Sequence, residues 1–475
     1  MANPQLLILD ADRIHEYVFA PRQLKAIRGG SAIQANLNRI RLFEPKLLSV
    51  GGNVDALGKV LDSPTLAGGA PWEAVYAGGG TALILFRDLP DAESYRMAAT
   101  RLYAEETGAA TASAAFVPCS EAFKDDYDAV RRQLERAKTA RCEHRFASGN
   151  PYWKVCELCG RVPAARRRRD PGGDERLACA ACLKRLRLEN SERSPYLAQV
   201  PVLAGTVLKP PRDFERIAAR SIPENYLAVV YLDINRLGRF LSETASASVT
   251  KFRTHSTAVH ETVVSGTVAG CAATAMRAGG EEAPFEILLI GGDDAIVVMR
   301  AQDVFVFLRR FQELFESARR REDLDFRDLD FSVGIVWAHH HFPISQFLAL
   351  AEELLKSAKR RPGGGFAADY LIVTEAMAGD IGPRGEGGSR KPYALPEFLA
   401  LEESVAALKI AGAPRGKVHD LYRIAHLPEC QATLEYYFLL SRLESKHRDM
   451  MIKRFPAGPA GMADLAELWD FVEAP

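Results

Sequence analysis

Two groups of residues in this chain are costly to keep unless they do chemistry. The first is acidic. Gly291-Gly292-Asp293-Asp294 lies between two apolar runs in EILLIGGDDAIVVM (286–299), which reads as a β-hairpin turning at the glycines. A third acid, Asp233, ends another apolar run in AVVYLDINRLGRFL (228–241), and one helix-and-hairpin connection brings it alongside. Asp and Gly also favour ordinary turns, but flanking runs this apolar place the hairpin in the centre of a sheet. Three carboxylates meeting there repel one another unless cations hold them. An oxygen-rich set of this kind suits two magnesium or manganese ions, which clamp the attacking and leaving oxygens of a phosphoryl transfer. Gly291 and Gly292 are expected to let the backbone turn sharply and to let substrate approach.

The second group is a pair of knuckles, Cys156-x2-Cys159 and Cys179-x2-Cys182. Their spacing is that of a structural zinc site, in which four thiolates complete a tetrahedron and leave no position open for catalysis. Cys142 and His144 lie nearby and either replace one ligand or stay free. Cys119, Cys271 and Cys430 stand alone and are expected in the core. Between the knuckles, Arg166-Arg167-Arg168-Arg169 is either a solvated loop or a tip that grips RNA phosphates without reading sequence.

These residues need a scaffold. FSVGIVWA (331–338) reads as a strand and FLALAEELLKSAKRR (347–361) as an amphipathic helix returning to the same sheet. That return brings Lys359, ahead of Lys356 and Arg360, toward a bound triphosphate as a point charge. Asn235 either touches ribose or base or serves the turn after Asp233. The same shapes occur once before in the same order: LLILDADRIHEYVF (6–19), AVYAGGGTALILF (74–86), SAAFVP (113–118) and YDAVRRQLERAKTAR (127–141). Asp10 and Lys138 are 128 positions apart, and Asp233 and Lys359 are 126 apart. A duplication is expected. The first copy has Gly78-Gly79-Gly80-Thr81 in place of the glycine–aspartate turn, so it cannot hold the same pair of ions.

The bulk properties bound the rest. A chain of 475 residues allows two to four domains. Its 61 basic and 61 acidic residues cancel, so any contact with nucleic acid must come from a local patch. Asp10 and Asp12 interrupt the N-terminal apolar run, which argues against a signal peptide. No apolar stretch is long enough to span a bilayer. Paired cysteines suited to metal point to a reducing compartment, so the expected location is cytoplasmic, with no membrane partner.

The set D-x-N, GGDD, S-V-G-I and A-E-x-L-L-x-x-A-K resembles the palm of nucleotidyl cyclases. More narrowly, it resembles the large polymerase-like subunit of type III CRISPR effector complexes and its smaller standalone relatives. The opening LILDADRIHEYVFAPRQLKAIRGGS is similar to that family's first palm. The resemblance implies an α+β chain: a degenerate palm (1–140), a four-cysteine zinc segment (141–200), an active palm (201–375) and a helical C-terminal domain (376–475). It implies that Asp233, Asp293 and Asp294 are catalytic, and that metal contacts fall at Asp233, Ile234, Asp293 and Asp294. Nucleotide contacts are implied at Asn235, Gly291, Gly292 and Lys359. The implied activity is conversion of ATP to a cyclic oligonucleotide messenger in antiviral defence. The implied partners are guide or target RNA and other CRISPR effector subunits. The rival expectation is a catalytically silent scaffold that binds nucleotide and RNA.

Several family members begin with a nuclease domain built on a His-Asp pair; none is expected here ahead of the first palm. His419-Asp420 reads as surface helix, and His339-His340-His341 as a strand end or loop. Phe438, Leu439, Met450 and Met451 are expected in the core of the C-terminal helices.

Overall fold

The computed structural model describes residues 3–49, 51–56, 58–140, 152–169, 175–187, 198–205, 207–374, 381–382, 384–385, 389–454 and 461–473. Cys142, His144 and six of the thirteen residues of the Gly- and charge-rich stretch 379–391 lie outside the described residues.

The first sheet contains β1 (Gln5–Asp12), β2 (Trp72–Gly78), β3 (Thr81–Phe86) and β4 (Thr111–Pro118) in the order β2-β3-β1-β4, all antiparallel. A small hairpin follows, β5 (Arg166–Arg169) against β6 (Glu175–Ala178). The second sheet contains β7 (Tyr226–Ile234), β8 (Phe285–Ile290), β9 (Asp294–Arg300), β10 (Phe331–His339), β11 (Ala367–Ile372) and β12 (Tyr393–Ala394). Its order is β12-β11-β10-β7-β9-β8, so its core, β8-β9-β7-β10, repeats the first sheet. The fold is α+β with two ferredoxin-like palms.

Alternation along the strands sets the layers. In β7, Leu227, Val229 and Tyr231 pack under the helix Ile344–Lys359. Ala228, Val230, Leu232 and Ile234 face the opposite way, toward the helices Val249–Ala278 and Val304–Arg319. Period-2 side chains thus fill two cores from one strand. The same arrangement holds in β1. Leu6 and Ile8 pack with Tyr127, Val130 and Leu134 of the helix Phe123–Ala140. Leu7 and Leu9 pack with Ile33 and Leu37 of the helix Leu24–Arg39 and with Tyr95 of the helix Leu89–Thr107.

The duplication extends to irregularities. The β2–β3 ladder slips between Ala74 and Tyr76, and the β8–β9 ladder slips between Ile287 and Leu289, at matching places in the two hairpins. Arg13 and Arg236, each three residues after its strand's aspartate, both adopt positive φ (51° and 60°) ahead of a short helix. Non-glycine residues rarely adopt that conformation.

Beyond the palms, the helices Leu395–Ile410, Arg415–Ala425, Glu429–Ser441, Ser445–Arg454 and Met462–Leu468 form the C-terminal region. Leu439 and Met451 are buried there, and Met450 is partly buried. Phe438, expected in the core, is exposed, with the Arg442 guanidinium 4.1 Å from its ring centroid. Cys430 was likewise expected inside and is exposed, because it falls on the outer face of the same helix; Cys271 is buried and Cys119 half-buried. His419 is exposed on its helix. His339 ends β10, with His340 and His341 in the turn beyond it.

Candidate active site

Pairing between β7 and β9 sets Asp233 directly opposite Asp294. Residues paired this way present their side chains on one face, where like charges destabilise a sheet. Asp293 joins them at the head of the turn, its carbonyl accepting from the Ile234 backbone N–H at 3.1 Å. Burial, followed by the charges of Asp233 and Asp294, pushes the Asp293 carboxyl up to about 7. Burial also raises Asp233, against the pull of Lys359. A site that resists its own ionisation in this way fits divalent cations, which reverse the penalty. The Ile234 side chain is buried in the core, so only its backbone oxygen is available to a cation.

Of the three basic residues at the end of the helix Ile344–Lys359, Lys359 reaches the site, its Nζ bonding the Asp233 carboxylate. Lys356 pairs with Glu352 at 2.6 Å, and Arg360 donates to the Lys356 carbonyl at 3.1 Å. Asn235 turns aside: its backbone N–H donates to the Asp330 carbonyl at 2.8 Å and its side-chain amide bonds the Asp330 carboxylate. Arg236 donates to that carboxylate at 2.6 Å, so this cluster braces the turn.

Neither Gly291 nor Gly292 has positive φ. They are needed for close approach: a Cβ on Gly291 would strike the Asp294 carboxylate, and one on Gly292 would come within 2.5 Å of the Tyr76 hydroxyl. Gly79, at φ 57°, abuts the Gly292 backbone, so the turns of the two palms meet face to face.

Three site residues carried no local sequence signal. His15, from the first palm, places Nε2 3.1 Å from Asp294 Oδ2. Tyr231, two residues before Asp233 on the same strand face, has its hydroxyl 3.4 Å from that oxygen and 3.2 Å from His15 Nδ1. Burial lowers the His15 pKa, but the hydrogen bond and charge of Asp294 outweigh it and the net shift is upward. His260, on the long helix Val249–Ala278, contacts the Gly291 carbonyl through Nδ1 at 3.0 Å. A carbonyl oxygen only accepts, so His260 Nδ1–H donates and holds the turn in place, while burial lowers the His260 pKa.

The first palm is self-satisfied at the equivalent point. Thr81 stands in register with Asp10, where Asp294 faces Asp233 in the second palm. Thr81 Oγ1 donates to Asp10 Oδ1 at 2.5 Å, and Lys138 Nζ holds Asp10 Oδ2 at 2.6 Å.

The four knuckle cysteines converge, their sulfurs all within 4.8 Å of one another, with Cys159 and Cys179 3.9 Å apart. The donor set could bind zinc. The helix Ala180–Arg187, carrying Cys182, docks tightly on the first palm: a Cβ on Gly29 would overlap the Arg185 carbonyl, and Arg185 donates to the Tyr17 carbonyl at 2.6 Å. The four arginines form strand β5, paired with β6, so the loop expectation is corrected to a hairpin arm.

A sheet carrying three clustered carboxylates thus packs against a second sheet of the same strand order that lacks two of them. Residues 226–365 match the family model of Cas10/Cmr2, second palm domain. No curated protein matches. Among solved structures, T. onnurineus Csm1 is similar over 99% of this chain and 70% of that one, at 17% identity and TM-score 0.63. An apo Csm1–Csm4 cassette gives 18% identity and TM-score 0.64, and the cassette in complex with cA4 gives 15% and 0.62, both at 99% and 70% coverage. At these identities the likeness is one of fold. Among the described residues, no helix is long and apolar enough to cross a membrane.

Proposed function

We propose that this chain is a metal-dependent nucleotidyltransferase that joins ATP into a cyclic oligonucleotide. The observation that carries the reading is the cross-strand pair Asp233–Asp294 with Asp293 beside it, its carboxyl pushed up to about 7. The structures of Csm1–Csm4 with cA4 and with AMPPNP support it, as does the match of residues 226–365 to the Cas10/Cmr2 palm.

Asp233, Asp293, Asp294 and the Ile234 carbonyl would hold two magnesium or manganese ions, which supply activation of the attacking hydroxyl and neutralisation of the departing pyrophosphate. A ribose 3′- or 2′-hydroxyl attacks the α-phosphorus, the α–β bond breaks, and the hydroxyl proton passes to solvent. Lys359 exchanges Asp233 for the triphosphate as a second source of positive charge. His260 keeps the glycine turn in position through the Gly291 carbonyl, and the backbone of Gly291 and Gly292 would meet the phosphates. Asn235 orients the turn through Asp330. The first palm (1–140) is a non-catalytic partner to the second (201–375). The cysteine segment (141–200) takes structural zinc. RNA, other CRISPR effector subunits and a cytoplasmic setting complete the reading.

The test is incubation with each radiolabelled nucleoside triphosphate and magnesium or manganese, with and without RNA, resolving products by mass. A cyclic product from ATP, lost in Asp293→Ala/Asp294→Ala, supports the reading. No metal-dependent pyrophosphate release in any condition sinks it and favours a silent scaffold.

A further inference from the structure

A cavity of about 110 Å³ lies between the two palms, lined by Gln34 and Ser31 from the helix Leu24–Arg39, Gly78 and Gly79 from the first palm's turn, and Asp293 and Asp294. That is room for several waters at roughly 30 Å³ each. Its far wall holds an anomaly. Gln34 is 2% exposed, and neither its Nε2 nor its Oε1 has a hydrogen-bond partner. Buried amides are almost always paired, because an unpaired one keeps its desolvation penalty without recompense. Two neighbouring polar groups have partners of their own: Asn38 Oδ1 accepts from the Tyr103 hydroxyl, and His260 contacts the Gly291 carbonyl.

We infer that Gln34 reads the base of a bound purine nucleotide, and so is the specificity-determining residue of the site. This rests on the nucleotidyltransferase reading above. A carboxamide offers a donor and an acceptor side by side, the complement of a purine edge that carries an acceptor next to a donor. Adenine presents that pair as N6–H with N1 or N7, and guanine as O6 with N1–H. Apolar walls at Ile14 and Leu289 suit a flat heterocycle, while the carboxylates stand at the phosphate end. The two palms then divide the nucleotide between them: the second takes the phosphates and the first, by way of Gln34, takes the base.

The test is equilibrium binding of non-cleavable methylene analogues of ATP, GTP, CTP and UTP, and of inorganic tripolyphosphate, with magnesium. The proteins are the full chain and its Gln34→Leu and Gln34→Glu variants. Gln34→Leu should weaken one purine analogue tenfold or more and leave tripolyphosphate unchanged. It should also raise the thermal midpoint of the nucleotide-free protein, because an unpaired amide has gone. Gln34→Glu, which loses the donor, should weaken the same analogue. The purine that suffers most identifies the edge. Unchanged affinity for both purines, a loss confined to pyrimidines, or equal losses for nucleotide and tripolyphosphate would overturn the inference. Wild type that turns over ATP while Gln34→Leu is indifferent removes this inference alone; wild type that binds no nucleotide removes the functional reading with it.

Discussion

Lys138 holds Asp10 at 2.6 Å in the first palm at the point where Lys359 holds Asp233 in the second. Each lysine lies in the last turn of the helix that packs beneath its own strand, so one ion pair occurs twice. The difference lies across the strand, where Asp10 faces Thr81 and Asp233 faces Asp294. The first aspartate is neutralised by the protein itself, whereas the second keeps a like charge opposite.

Lys359 should therefore matter to turnover and Lys356 should not. Lys359→Ala is expected to lower kcat/KM for ATP by tenfold or more, roughly 1.4 kcal/mol or above. Lys356→Ala, whose partner Glu352 is on the surface, should stay within about twofold. Equal effects of the two changes would contradict the assignment.

In the metal-free protein, the folded chain keeps the Asp293 proton up to about 7, while an unfolded chain releases it near 4. The folded state therefore holds more protons across that window, and stability falls as pH rises through it. Asp293→Asn removes the titration. Urea midpoints at pH 4.5 and 7.5 in magnesium-free buffer should fall more steeply for wild type than for Asp293→Asn. Added magnesium should restore stability at pH 7.5 in wild type only.

Gly334 on β10 lies against the helix Ile344–Lys359, where a Cβ would meet the Ala351 carbonyl and the Leu355 backbone nitrogen. Both are backbone and cannot swing away. Gly334→Ala should cost about 1–3 kcal/mol of unfolding free energy by chemical denaturation. Because the same helix carries Lys359, activity should fall with it.

Elemental analysis should find one zinc per chain, and Cys182→Ser should lower both zinc content and thermal midpoint. Loss of the metal should free the helix Ala180–Arg187 from Gly29 and Tyr17, seen as faster amide exchange in the helix Leu24–Arg39.

Much of the palm was legible because its signals are local. Apolar runs ending in acids gave Asp233 and the Asp293–Asp294 turn, and the near-equal spans of 128 and 126 residues put Lys138 and Lys359 at matching places in the two halves. His15, His260 and Gln34 could not be read this way. Each comes from a helix outside the motif strands, and an isolated histidine or glutamine in a helix looks the same whether it faces solvent or a site. Tyr231 was visible only as another large residue in a buried strand. The glycines were recognised for turning and for substrate approach, but not for clearing the Asp294 carboxylate and the Tyr76 hydroxyl, since what lies opposite them is a tertiary fact. Phe438 and Cys430 show the reverse error, in which residue type outweighed the face of the helix on which it falls.

The meeting of Gly79 with Gly292 has a kinetic consequence. Two halves on separate chains would find each other only as fast as concentration allowed. Joined in one chain, they meet at a fixed effective concentration, so the composite cleft should survive dilution. Specific activity, measured from micromolar down to nanomolar protein, should stay flat.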